Sequence, residues 1–184
     1  NQGVVVADHA NALGSTTSGT TINGATLHIN KASAEPITVN GGTLILNDDA
    51  ADQIGPITVM GSTLTTQTAG AGVSLAGLMT LINGATLTVD VPAGKTFVIK
   101  GGADGVGNLQ FQNAGVVTIQ DVSLANEGSV SISGGTTDLD VANSFTGPLV
   151  VQNGTVNANQ PGSLGAVTVA VTLNDAILNV NANN

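Results

Sequence analysis

The chain of 184 residues contains no cysteine, tryptophan, tyrosine or arginine. Without cysteine it has neither disulfides nor thiolate metal ligands, which fits a chain exported unfolded and fits much else. Charged residues make up 8% of the chain, and the only lysines are Lys31, Lys95 and Lys100. With a net charge of −9 and those three cations scattered, no face can gather the clustered Lys or Arg that a nucleic-acid backbone requires. Aromatic residues are 2% of the total, too few for a sugar-stacking platform. No apolar run approaches the ~20 residues of a transmembrane helix, so membrane insertion is not expected. The N-terminus has neither a basic n-region nor an apolar h-region. The expectation is therefore a mature form, an excised piece or a cytosolic chain.

What the chain does have is aliphatic and repetitive. Hydrophobic residues are 41% of it and glycines number 25. The stretch "TTINGATLHIN" (20–30) returns as "ITVNGGTLILN" (37–47), "ITVMGSTLTTQ" (57–67) and "TLINGATLTVD" (80–90). Within the first copy, Ala25, Leu27 and Ile29 alternate with Thr26, His28 and Asn30, which is the period-two pattern of a strand. Asn-Gly adopts positive φ cheaply, so one copy taken alone reads as a β-hairpin. Recurrence of the turn at Asn23, Asn40, Met60 and Asn83, with weaker echoes at Ser133, Asn153 and Asn174, favours a solenoid, in which Asn-Gly marks a corner.

Stacking accounts for the choice of residues. It sets Asn23, Asn40 and Asn83 in one column at the corner, Leu27, Leu44, Leu64 and Leu87 in one column inside, and Thr26, Thr43, Thr63 and Thr86 in one column outside. Asn columns can hydrogen-bond along a stack, and charges repeated every ~4.8 Å would repel. A β-sandwich explains none of these columns. Residues 91–140 are less regular but still alternate, as at Phe97 and Ile99 or Val130 and Ile132. The expected fold is all-β, a right-handed parallel β-helix of roughly nine coils and ~40–45 Å of axis. It forms one solenoid domain over residues 1–184, whole or as a piece of a longer surface protein.

Near the C-terminus, "VANSFTGPLVVQNGTVNANQPGSLGAVTV" resembles the passenger-associated transport repeat of bacterial autotransporters. That repeat runs Asn-Thr-Tyr-Thr-Gly-Gly, a strand, a Gly-Thr-Leu strand, then Ala-Leu-Gly. Asn143, Ser144, Phe145, Thr146 and Gly147 match its first element, Gly154, Thr155 and Val156 its second, and Ser163, Leu164 and Gly165 its third. Asn11, Ala12, Leu13 and Gly14, followed by Gly24, Ala25, Thr26 and Leu27, repeat the later part. "GNLQFQNAGVVTIQ" is similar to the stretch that precedes such repeats. Pro148 replaces the second glycine and Phe145 the tyrosine. About half the chain matches well. The resemblance implies a right-handed β-helix outside a bacterial envelope, an adhesin-like passenger or related surface protein.

Chemistry is sparse. Asp48 and Asp49, with Asp52 nearby, are the best carboxylate cluster. They read as a solvated loop between coils, with a weak Ca²⁺ site as the alternative. A glycosidase pair would need two carboxyls ~5–9.5 Å apart across a cleft, and no Arg is present to clamp a uronate. His9 and His28 read as solvated side chains. "GGADGVG" (101–107) lacks the lysine and Ser/Thr of a P-loop and reads as a loop between coils. Asp138 and Asp140 read as an exposed strand face. Thr63, Thr65, Thr86 and Thr88 form Thr-x-Thr pairs of the kind that bind ice on flat solenoids, but His28 and Ile45 interrupt that array. No catalytic residue, cofactor site or enzyme activity is expected. Both termini read as strand, with no helix or charged strand to cap them. The expected partners are therefore adjacent solenoid coils through the chain ends, from a longer polypeptide or another copy. The reading is a structural or adhesive solenoid of a bacterial cell surface, with a self-assembling extracellular fibre or sheath subunit as the alternative.

Overall fold

The computed structural model describes residues 3–47, 55–60, 63–68, 72–112 and 114–181. The chain winds through short strands in about eight turns, close to the nine expected. β1 (Val4–Ala7), β2 (Thr20–Ile29) and β3 (Ile37–Leu46) make the first turns. The next turn carries β4 (Ile57–Met60), β5 (Thr63–Thr68) and β6 (Val73–Leu75), and is followed by β7 (Met79–Ile82), β8 (Thr86–Asp90) and β9 (Thr96–Ile99). Above them lie β10 (Ala103–Gly105), β11 (Asn108–Gln112) and β12 (Val116–Ile119), then β13 (Val130–Ser133) and β14 (Thr136–Leu139). The last turns hold β15 (Leu149–Gln152) and β16 (Thr155–Ala158), then β17 (Val171–Asn174) and β18 (Ile177–Val180).

Every described pairing is parallel, so the Asn-Gly segments are not hairpin tips. β2 and β3 instead run straight through Asn23-Gly24 and Asn40-Gly41 and turn a corner there, with Gly24 at φ 62° and Gly41 at φ 78°. From that corner the sheet divides into two walls. The first halves of β2 and β3 continue into β4, β7 and β10; the second halves continue into β5, β8, β11, β13, β15 and β17. A third wall is a separate sheet of β6, β9, β12, β14, β16 and β18. Later corners use the same left-handed backbone, at Asn83 (φ 56°) and Asn153 (φ 52°).

Alternation then sets the core. Leu27, Ile29, Leu44, Leu46, Leu87, Val89, Leu109 and Phe111 point inward and are buried, while the residues between them face out. Each such side chain contributes about 1.5–3 kcal/mol by leaving water. The expected columns hold in part. Leu27 stands beside Leu44, Thr26 beside Thr43, and Leu64 beside Leu87. Between β3 and β5, however, the register is offset by two: Leu44 meets Thr66, Leu64 meets Gly42, and Thr43 meets Thr65. Leu44 and Leu87 therefore occupy neighbouring inward columns rather than one. A slip of two keeps every side chain on its own face, so the hydrophobic pattern does not resist it.

The stretch 101–107 differs from the expected loop. Ala103–Gly105 pairs with Met79–Leu81 as a strand. A Cβ on Gly105 would lie 2.1 Å from the carbonyl oxygen of Leu81, so glycine serves close approach of the backbones here. The same need recurs in a column at Gly107, Gly128 and Gly147. A Cβ on Gly128 would stand 2.1 Å from the oxygen of Gly107, and one on Gly147 would stand 2.1 Å from the oxygen of Gly128.

Candidate interaction surfaces

Asp48, Asp49 and Asp52, the residues of the Ca²⁺ alternative, lie outside the described residues. Among the described residues, no three His, Asp or Glu side chains gather as a metal site would require. His9 is exposed in the turn after β1, and His28 faces outward, half-buried, between Val6 and Ile45. Glu35 is buried just before β3, where it accepts a hydrogen bond from the Thr20 hydroxyl at 2.6 Å.

The polar side chains of the outer surface are organised along the stack. Asn40 Nδ2 donates to Asn23 Oδ1 at 3.3 Å, a rung of the expected corner ladder. Three longer ladders each start from an aspartate. Asn30 donates to Asp8 at 2.5 Å, and Asn47 donates in turn to Asn30. On the third wall, Asn157 donates to Asp138 at 2.6 Å and Asn179 to Asn157 at 2.8 Å. Beside that file, Asn159 donates to Asp140 at 2.7 Å and Asn181 to Asn159 at 2.8 Å. A carboxylate only accepts, so each aspartate fixes the direction of every amide stacked on it. Asp138 and Asp140 are thus half-buried feet of two ladders, more constrained than the exposed strand face expected of them. Their signal was present in the chain, as Asp-x-Asp followed by Asn-x-Asn twice at one-turn intervals.

Threonines form two outward files. Thr21, Thr38, Thr58 and Thr80 follow one wall and end against Asp104. Thr26, Thr43 and Thr88 follow the next and end against Gln110, with Thr65 between Thr43 and Thr88 in the backbone register. Thr88 is buried, and its hydroxyl donates to Gln110 Oε1 at 3.4 Å.

The C-terminal motif is an intersection of turns. Asn143 is buried; its Oδ1 accepts from the Leu124 N–H of the turn below at 2.8 Å, and its Nδ2 donates to the Ser163 carbonyl of the turn above at 2.7 Å. Phe145 is fully buried beneath Gly165, where an added Cβ would lie 2.5 Å from its ring. Gly147 closes the glycine column. Asn143, Phe145 and Gly147 each meet a different neighbouring backbone.

The described stack begins on β1 and ends on β17 and β18. Val5 at one end and Leu173 at the other occupy inward columns yet are 54% and 44% exposed. At the C-terminal end a cavity of about 280 Å³ opens between Ala158, Leu164, Val169, Val171 and Val180. No protein-family model, curated protein or solved structure matches the chain.

Proposed function

We propose that this chain is a non-enzymatic structural solenoid of a bacterial cell surface, a stiff rod or display scaffold of the autotransporter-passenger kind. The observation that supports this reading is the use made of the polar side chains. Asp8, Asp138 and Asp140 bond along the stack to asparagines one turn away, and do not converge on a common point where a substrate could be held. A surface whose amides and carboxylates satisfy one another stiffens a rod. A catalytic site instead needs titratable groups aimed at one reacting atom. The match of Asn143 to Gly165 with the passenger-associated repeat adds the expectation of an extracellular location.

The test has two arms. Incubation with pectin, alginate, hyaluronan and peptidoglycan releases no reducing ends and no unsaturated sugars. Protease added to intact cells of the source organism removes the chain while cytoplasmic proteins survive. Sugar release that disappears on changing a carboxylate such as Asp138 to Asn overturns the structural role, and protection of the chain in intact cells overturns the surface location.

A further inference from the structure

We propose, as a property separate from that structural role, that Asn83-Gly84 is a site of spontaneous covalent modification, where the asparagine converts to aspartate and isoaspartate. The chain contains four Asn-Gly pairs, at 23–24, 40–41, 83–84 and 153–154. Glycine has no Cβ, so its nitrogen meets the least hindrance in attacking the side chain before it. The Gly84 nitrogen, having lost its proton to water, forms a bond to Asn83 Cγ, and the Cγ–Nδ2 bond breaks to release ammonia. Water then opens the cyclic imide. Attack at Cγ yields aspartate; attack at the main-chain carbonyl yields isoaspartate, with Gly84 carried on the former side chain.

The fold separates the four pairs by what ring closure would break. Asn23 and Asn40 are joined in a rung, and β2 and β3 pair on both sides of them. Asn153 is clamped between turns. Its N–H donates to the Asn174 carbonyl at 3.0 Å, and the Gly154 carbonyl accepts from the Ile177 N–H at 2.9 Å. On the other side, a Cβ on Gly154 would lie 2.9 Å from the Gly134 oxygen. Asn83-Gly84 instead stands clear of the stack. Both residues are exposed, with φ of 56° and 69°. The Ala85 N–H closes a two-residue turn on the Ile82 carbonyl at 3.1 Å, and positive φ at both central positions is that of a type I′ turn. The turn above passes it by: the Val106 N–H donates to the Leu81 carbonyl and the Asn108 N–H to the Ala85 carbonyl. Among the described residues, neither the Asn83 amide nor the Gly84 N–H has a hydrogen-bond partner. Bringing the Gly84 nitrogen against Cγ takes Asn83 out of its left-handed backbone, and here that rotation breaks one turn bond and no seam between turns. The products also fit. Aspartate, like asparagine, accepts left-handed backbone, and the extra main-chain carbon of isoaspartate falls in a turn that stands outside the seams. Each converted copy adds one negative charge to the net −9.

The test is to incubate the folded 184-residue chain in mildly alkaline buffer, quench in acid, digest with pepsin and map the peptides by electron-transfer fragmentation. Asn83 converts first, at least about tenfold faster than Asn23, Asn40 or Asn153, because local opening reaches the reactive geometry there at lower cost. Aspartate and isoaspartate both appear at position 83, and ammonia is released in step. In denaturant the four pairs convert at similar rates, since each asparagine is followed by glycine. Asn83→Gly keeps a residue at ease with positive φ; it removes the early acidic species and leaves the far-UV circular dichroism unchanged. Conversion led by Asn23, Asn40 or Asn153 overturns the proposal, as do equal rates at all four pairs in the folded chain. An early acidic species that survives Asn83→Gly overturns it too, as does a folded chain whose Asn83 stays intact while the denatured chain converts. None of these outcomes touches the non-enzymatic role, which sugar release would sink.

Discussion

Asn143 and Ser163 stand twenty positions apart in the chain and one turn apart in the stack, and the Asn143 amide donates to the Ser163 carbonyl at 2.7 Å. The same side chain accepts from Leu124 on the opposite side, so one residue links three turns. Asn143→Ala leaves a buried N–H and a buried carbonyl without a partner. At about 1–3 kcal/mol for each group, the variant loses on the order of 2–6 kcal/mol of stability in urea titration. Asn143→Asp keeps the acceptor for Leu124 but turns a carboxylate toward the Ser163 oxygen, and is expected to be no more stable than the alanine variant. Equal midpoints for Asn143→Ala and the unchanged chain would show that water replaces both bonds.

The glycines separate into two kinds. Gly128→Ala sets a methyl group 2.1 Å from the backbone oxygen of Gly107. Because the obstacle is backbone, the cost is expected at or beyond the upper end of the overpacking range, about 3 kcal/mol. Gly84 has nothing within 4 Å of a built Cβ but holds φ at 69°, so Gly84→Ala meets only left-handed strain of about 1–2 kcal/mol. Thermal melts of both variants should fall in that order, and the reverse order would contradict the tight column.

Ladder direction can be tested by exchange. Asn157→Asp sets a second carboxylate against Asp138, replacing a 2.6 Å donated bond with two acceptors, at a cost of about 1–2 kcal/mol. Adding Asp138→Asn restores a donor to that rung, and Asn179 still finds an acceptor at position 157, one turn below it. The double variant should recover most of the lost stability in denaturant titration. If it is no better than Asn157→Asp alone, the rung does not carry the direction assigned to it.

Inward and outward positions should differ sharply. Leu44 is fully buried and Thr43, its neighbour in β3, is half-buried on the outer face. Leu44→Asp brings a charge into an apolar interior and costs several kcal/mol. Thr43→Asp leaves its charge at water and costs far less. Matching losses in guanidinium titration would mean the two faces of β3 are assigned the wrong way round.

The architecture was legible because alternation and recurrence agree. Leu27 beside Leu44 and Asn23 beside Asn40 are pairs that the eleven-residue copies place by simple superposition. Superposition failed between β3 and β5, where "TLIL" and "TLTT" present similar residues at either of two offsets and the pattern is blind to a shift of two. It failed again at 101–107, where glycines suggest a loop although the strand there is held by backbone bonds that need no side chain. The ladders are less legible for a different reason. Asparagine reads as a turn residue, and only the stack reveals that Asn157 and Asn159 face aspartates one turn below. The anticipated carboxylate cluster of Asp48, Asp49 and Asp52 lies outside the described residues, and the aspartates that are described are spread along the axis.

Each described strand pairs only with strands one turn away, at separations from 17 positions, as Thr20 with Ile37, to 24, as Met79 with Ala103. No described pairing ties the first turns to the last. Tension applied to the two chain termini therefore runs through the inter-turn seams in series, and a seam opens like a zipper, bond after bond from its free end. Seams next to an already opened turn fail next, so the molecule unravels from its extremities while the middle stays wound. Each event frees one turn of ~20 residues, or ~65–70 Å of extended chain, and a single molecule stretched in an optical trap should lengthen in steps of about that size.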